Sequence, residues 1–212
     1  MDIYSYFNSS TSYRVRIALA LKGVDYQLLP VNIRNNEQHT PDYRHKNPAG
    51  GVPLLEEGNW QLGQSLAIID WLDAHYPEPR LIPENANARA KVLEMALLIA
   101  CDMHSVNNLR VLRYLVNQLG VDEAAKNAWY AHWIAEGLGA LEQLLTRAHS
   151  GGFCMGEYVS LADCCLVPQV ANAKRMGCDV TPYPRALAVY EHCTTLPAFA
   201  RAAPQQQPDY QS

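Results

Sequence analysis

Four small hydroxyl residues, Ser9, Ser10, Thr11 and Ser12, lead directly into the helical run "YRVRIALALKG". One Ser or Thr is enough to cap a helix start, so four exceed the structural need. A helix N-terminus and hydroxyl donors both favour a thiolate over its thiol, whose free pKa is about 8.5. No cysteine lies nearby: the six are Cys101, Cys154, Cys164, Cys165, Cys178 and Cys193. A thiol at this helix start must therefore come from a ligand. Val52-Pro53 opens a predicted strand with a residue that lacks a ladder donor, which places it at a sheet edge or in a special geometry such as a cis bond. Such an edge docks an extended peptide. Gln64-Ser65 falls at a strand-to-helix junction, where Ser65 caps the helix and first-turn amides hold a carboxylate. A small thiol peptide with a free carboxylate, as in glutathione, answers to all three.

The elements that position these residues follow from periodicity and turn signals. Residues 2 to 7 read as a strand, 12 to 23 as a helix ending at Gly23 after Lys22, and 26 to 31 as a second strand. "VPLLEE" and "WQLG" read as two strands joined at Gly58-Asn59, followed by an amphipathic helix from Ser65. The order is βαβ, loop, ββα. Three prolines in "PEPRLIP", residues 77 to 83, mark a linker. Beyond it, 84 to 119, 121 to 149 and 160 to 176 carry helix-period apolar residues, and shorter helices over 184 to 194 and 197 to 203 start with Pro184 and Pro197. The expectation is an α/β domain over 1–80 and an all-helical domain over 86–212.

Within the helical half, "SLAD" at 160 to 163 has the spacing of a capping box and sets the register of the helix that carries Lys174 and Arg175. "WIAEGLGALEQLL" reads as core packing. Arg14 and Arg16 read as the solvated or structurally paired face of the first helix. Arg110 and Arg113 fit a charged surface as well as a substrate-facing pair, and His104 fits a packed histidine as well as a ligand contact.

With 212 residues, 49% of them hydrophobic, and a net charge of -4, the composition is that of a globular chain without the basic stripe a nucleic acid requires. No apolar run reaches the roughly 20 residues of a membrane span and the start lacks a signal-peptide pattern, so a cytoplasmic protein is expected, without nucleic-acid or membrane partners. No CxxC pair suggests a dithiol or zinc site, and no metal is expected. The cysteines are read as reduced and several as buried.

Five segments carry a resemblance that spans nearly the whole chain: "SSTSYRVRIALALKG", "NPAGGVPLLE", "QSLAIIDWL", "CDMHSVNNLRVLRYL" and "SLADCCLVPQVANAKR". Together they resemble the zeta class of cytosolic glutathione transferases. The resemblance implies a thioredoxin-like α/β N-terminal domain that binds glutathione, an all-α C-terminal domain that takes a small dicarboxylate, and a homodimer. It implies that Ser9, Ser10 and Thr11 hold the glutathione sulfur, that Val52, before a cis Pro53, pairs with the peptide backbone, and that Gln64 and Ser65 hold the γ-glutamyl end. Gln38 falls at the glycyl end, and His104, Asn108 and Arg110 fall on a cleft-facing helical segment. One departure stands out: the zeta signature reads Ser-Ser-Cys where this chain has Thr11.

The implied activity is cis-trans isomerisation of maleylacetoacetate in aromatic amino-acid catabolism, with maleylpyruvate isomerisation, or conjugation or dehalogenation of small α-halo acids, as alternatives. Reversible thiolate addition turns the double bond into a single bond about which the enolate rotates. Arg175 resembles the family arginine that faces the developing negative charge.

Overall fold

Strand β1 (Asp2–Ser5) buries Ile3 and Ser5 and leaves Asp2 and Tyr4 half-buried, the period of two that a sheet imposes. The structure, a computed structural model, describes residues 1–211. In it β1 lies within a four-stranded sheet of order β2-β1-β3-β4. It pairs in parallel with β2 (Gln27–Pro30) and antiparallel with β3 (Leu54–Glu57), and β3 pairs antiparallel with β4 (Trp60–Gly63). Ile3 stands opposite Leu28 on one side and Leu55 on the other. Ile3 and Leu55 are fully buried, as are Val15, Ile17 and Leu19 of α1 (Ser10–Lys22) and Ile68, Ile69 and Leu72 of α3 (Ser65–His75). Side chains of this size contribute roughly 1.5–3 kcal/mol each when fully buried. A short α2 (Pro41–Lys46), which periodicity did not reveal, precedes the loop to β3.

By internal packing the chain forms two compact units, Met1–Ile82 joined by the stretch from Thr194, and Pro83–Cys193. Helix α9 (Pro197–Ala202), counted from its period with the helical half, packs on α1: Tyr13 Oη donates to Phe199 O at 3.3 Å and Arg16 Nε to Ala202 O at 2.9 Å. Ser212, the last residue of the expected second domain, lies outside the described residues. In the first unit, the end of α1 is locked to α3 and to the linker. Lys22 Nζ meets Asp73 Oδ1 at 2.8 Å and also donates to Tyr76 O and Pro79 O, while the Asp73 carboxylate accepts from Leu81 N and Ile82 N. Neither charged side chain is more than 4% exposed.

The second unit is helical: α4 (Ala86–Leu97), a π-helical stretch Leu98–Met103, α5 (Leu109–Asn117), α6 (Glu123–Arg147), α7 (Leu161–Arg175) and all but the last two residues of α8 (Pro184–Thr195). The helix expected over 84 to 119 is thus interrupted. Asn107 Nδ2 bonds Tyr130 O and Asn108 Oδ1 caps α5 through Arg110 N; such side chains compete with the helical ladder for backbone groups. Gly137 of α6 permits a close approach here, since a Cβ on it would fall 1.9 Å from Met103 Cγ. The core reading of 133 to 145 holds, with Ile134, Leu138, Leu141 and Leu145 buried. At the start of α7 the buried Asp163 carboxylate accepts from Ser160 N, Ser160 Oγ and Cys154 N at 2.7, 2.8 and 2.7 Å. Cys154, Cys164, Cys165 and Cys193 are buried and form no disulfide. No helix among the described residues is long and apolar enough to cross a membrane.

Candidate functional site

Ser9, with φ -80° and ψ 120°, is the N-cap of α1, and its Oγ accepts from Ser12 N at 3.2 Å. Thr11 Oγ1 donates to Val52 O at 2.8 Å. A hydroxyl has one hydrogen to give, so the 2.9 Å bond between Ser9 Oγ and Thr11 Oγ1 is donated by Ser9. The result is a relay from Ser9 through Thr11 to the carbonyl of Val52, and the Val52-Pro53 bond is cis. Ser10 Oγ bonds none of the described residues, and Ser12 Oγ is buried without a partner. Of the four hydroxyls, one caps, one bridges, and Ser10 enters with its proton uncommitted.

The loop before Pro53 is held from its other side as well. Gly51 O accepts from Tyr43 Oη at 2.6 Å and from Asn47 Nδ2 at 2.7 Å. Burial pushes the Tyr43 phenol up to about 12, so it keeps its proton and stays a donor at neutral pH. Gly50, at φ +58°, brings the loop against the 3-10 turn that carries Gln38; a Cβ there would sit 3.2 Å from Gln38 O. Gln38 is buried and its Oε1 has no partner.

At the start of α3 the sequence reading needs correction. Helix α3 begins at Ser65, so Ser65 is its first residue, not its cap. Gln64 holds the cap position with φ +67°, ψ 111° and makes no side-chain capping bond. A non-glycine residue at positive φ is strained, and here the strained residue is exposed, directly before the first turn of α3. Ser65 Oγ accepts from Arg14 Nη1 at 3.4 Å.

Arg14 is the residue the sequence reading missed. It is 2% exposed, and its Nε and Nη2 are buried with no partner. A buried guanidinium remains charged and is costly without an anion beside it. The charge adds to the positive end of the α3 dipole, so this corner is built for an anion. The signal was present in the sequence: on a helical wheel Ile17, Leu21 and Ala18, in the turns that follow, flank Arg14 on both sides, so this arginine has no polar neighbours there with which to share a solvent face. Arg16, in the same helix, is instead fully paired, donating to Ser5 Oγ, Tyr6 O, Phe7 O and Ala202 O.

The other expected residues lie in the second unit. Asn108 Oδ1 is engaged by Arg110 N, and its Nδ2 lies 3.2 Å from His104 Nε2. Arg110 is exposed in the first turn of α5. Arg175, exposed at the end of α7, donates to Asn172 Oδ1, and Asn172 Nδ2 donates to Tyr130 Oη at 2.7 Å. Tyr130 is buried and its phenol is pushed well above the ordinary range by burial. Arg175 is therefore aimed by a chain that starts in the core, and the i, i+3 spacing of Asn172 and Arg175 is its sequence signature.

A family model described as glutathione S-transferase, N-terminal domain, matches residues 3–80. The chain is 47% identical to a probable maleylacetoacetate isomerase of Vibrio cholerae, over 98% of this chain and 97% of that one. It is 46% identical to a maleylpyruvate isomerase of a Ralstonia species, over 99% of each. Among solved structures, the holo form of a maleylpyruvate isomerase described as a bacterial zeta-class glutathione S-transferase superposes with a TM-score of 0.97 at 45% identity, covering both chains fully. A maleylacetoacetate isomerase of Methylobacterium extorquens AM1 with bound malonate and glutathione superposes with a TM-score of 0.93 at 35% identity, again over both full chains.

Proposed function

Because the chain belongs to the zeta class of the glutathione transferase family, we propose that it catalyses the glutathione-dependent cis-trans isomerisation of maleylacetoacetate. The observation that carries this reading is a thiol-stabilising helix start in a unit that has no cysteine: all six fall between residues 101 and 193. The fit to glutathione is supported by the orphaned guanidinium nitrogens of Arg14 beside Ser65, which match a carboxylate. When bound, glutathione supplies a thiol whose reversible addition to the alkene leaves a bond free to rotate.

The chain's own residues have these roles in the proposal. Ser10 offers an uncommitted hydroxyl proton to the sulfur. Ser9 can turn its proton away from Thr11 at the cost of one neutral hydrogen bond, about 0.5–1.5 kcal/mol, and gain one to an anion worth about 1.5–3 kcal/mol. Val52 presents backbone groups to the peptide, held in place by Thr11 and by the loop bonds to Gly51. Gln64, Ser65 and Arg14 hold the γ-glutamyl carboxylate, and Gln38 serves the glycyl end. In the second unit, His104, Asn108 and Arg110 are assigned to ligand contacts, and Arg175 to the negative charge that develops on the dicarboxylate, where a fixed cation is worth most.

Thr11 occupies the place of the family cysteine, so the reaction here needs no protein thiol. The reading places the enzyme in the cytoplasm, in aromatic amino-acid catabolism, and as a homodimer. Support for the dimer is an open groove on the second unit in which Leu97, exposed by 44%, Leu98 and Leu144 are flanked by the charged Glu94, Asp102 and Arg147, an apolar strip with a polar rim. The near-equal match to the Ralstonia enzyme favours maleylpyruvate as a second substrate. The test is the initial rate of isomerisation of maleylacetone and of maleylpyruvate with and without glutathione, counting free thiol throughout. Glutathione-dependent turnover with thiol conserved is expected, and the ratio of rates assigns the substrate. Thiol lost in step with product would replace the isomerase with a conjugating transferase.

A further inference from the structure

Phe7 and Asn8 form the turn between β1 and Ser9, and the C-terminal tail closes over it. Asp209 Oδ2 accepts the Phe7 N–H at 2.9 Å, and the Tyr210 ring meets the Phe7 ring edge-on, 5.4 Å between centroids at 87°. The tail is itself braced: Gln207 Nε2 donates to Arg201 O and Ala203 O at 3.1 and 2.9 Å, and Tyr210 N donates to Gln207 O at 3.0 Å. From within the unit, Arg16 donates to Phe7 O at 3.0 Å and to Tyr6 O at 3.4 Å. Ser9 N donates to that same Tyr6 O at 3.0 Å. The Phe7 peptide thus has its N–H fixed by Asp209 and its C=O by Arg16, two residues before the N-cap hydroxyl. The other Asp209 oxygen, Oδ1, is buried with no partner. A carboxylate held half-satisfied costs stability, and its one bond is to this turn.

We propose that the C-terminal tail is a strap that positions the sulfur-binding turn, with Asp209 as the positioning residue. The proposal rests on the glutathione reading above and extends it to residues outside the site. A shift of about 1 Å in a group that meets the reacting atom is worth about a hundredfold in rate, and nothing else among the described residues bonds the Phe7 amide through a side chain.

The experiment compares Asp209→Ala and Asp209→Asn in the full chain, measuring the thiol pKa of bound glutathione from its ultraviolet titration, kcat and KM for glutathione, and thermal unfolding. Asp209→Ala is expected to raise the bound thiol's pKa and to lower kcat/KM by about ten- to a hundredfold. Asp209→Asn, which keeps an acceptor oxygen, restores most of both. If Asp209→Ala lowers only the unfolding temperature and leaves the thiol titration and kcat/KM unchanged, the tail is merely structural and the proposal is overturned. Should Asp209→Ala fail to fold, Asp209→Glu is read in the same way, since its longer arm cannot keep the 2.9 Å bond without moving the turn. A wild-type chain that binds no glutathione overturns the reading beneath the proposal, a result separate from unchanged titration in a variant of a binding-competent enzyme.

Discussion

Replacing Arg14 by Met should move stability and ligand affinity in opposite directions. Met keeps most of the length of the buried stem and removes a charge whose Nε and Nη2 have no partner in a side chain 2% exposed. Each unsatisfied buried donor costs about 1–3 kcal/mol, while the bond given up, a 3.4 Å contact to Ser65 Oγ, is long and worth at most about 1 kcal/mol. Unliganded Arg14→Met is therefore expected to be as stable as the parent or more so. With glutathione the sign reverses, because a hydrogen bond between guanidinium and carboxylate contributes about 1.5–3 kcal/mol, which is roughly a ten- to hundredfold rise in Kd. The assay is thermal unfolding with and without ligand, with calorimetric titration of glutathione and of an analogue whose γ-glutamyl α-carboxylate is an amide. The analogue should bind parent and variant alike. If Arg14→Met loses several kcal/mol without ligand and binds glutathione like the parent, Arg14 is a structural residue and the reasoning fails.

Other perturbations separate the remaining parts. Ser9→Ala removes the cap of α1, at about 1 kcal/mol. Ser10→Ala is nearly neutral for folding but raises the pKa of the bound thiol, and the two separate in one thermal and one ultraviolet titration. Thr11→Val deprives Val52 O of its donor, and a loss of about 0.5–1.5 kcal/mol in denaturant unfolding is expected. Asp73→Ala strands Lys22 in a buried site and frees the Leu81 and Ile82 amides; breaking such a pair costs about 3–5 kcal/mol, read as a fall in the unfolding midpoint and as new proteolysis at the linker. Lys46, then Tyr4 and Gln61, hold the Glu56 carboxyl down at about 2. With a folded pKa below the unfolded value of about 4.3, this network stabilises fully above that value and is lost as pH falls through about 2. Glu56→Gln should flatten the acid-unfolding curve across that window, and an unchanged curve would exclude the network from acid stability.

Periodicity and turn chemistry were enough to read the succession of strands and helices along the first 75 residues, apart from α2, the Gly23 stop of α1 and the capping box at Ser160, because each depends on residues close in sequence. What could not be read depends on residues far apart. The hydroxyl cluster was visible as composition, but its division of labour follows from a carbonyl 41 positions away at Val52. Arg14 and Arg16 look alike in sequence, yet one is satisfied by four carbonyl and hydroxyl oxygens while the other is left with open donors. The break before α5 was missed because apolar spacing continues through it, while Asn107 and Asn108 redirect the backbone through bonds to Tyr130 and to α5 itself. The docking of α9 on α1 has no local signature at all.

That docking also orders events during synthesis. Chains fold as they emerge, with N-terminal parts generally first, but α1 here keeps Tyr13 and Arg16 waiting for Phe199 and Ala202. Until Phe199 and Ala202 leave the ribosome, the Arg16 guanidinium lacks one of its acceptors and the face of α1 that α9 covers stays open to water or to a chaperone. The helical unit, made of one continuous stretch, can close earlier. A nascent chain stalled before Thr194 should therefore have a protease-resistant second unit and a first unit still open to cleavage.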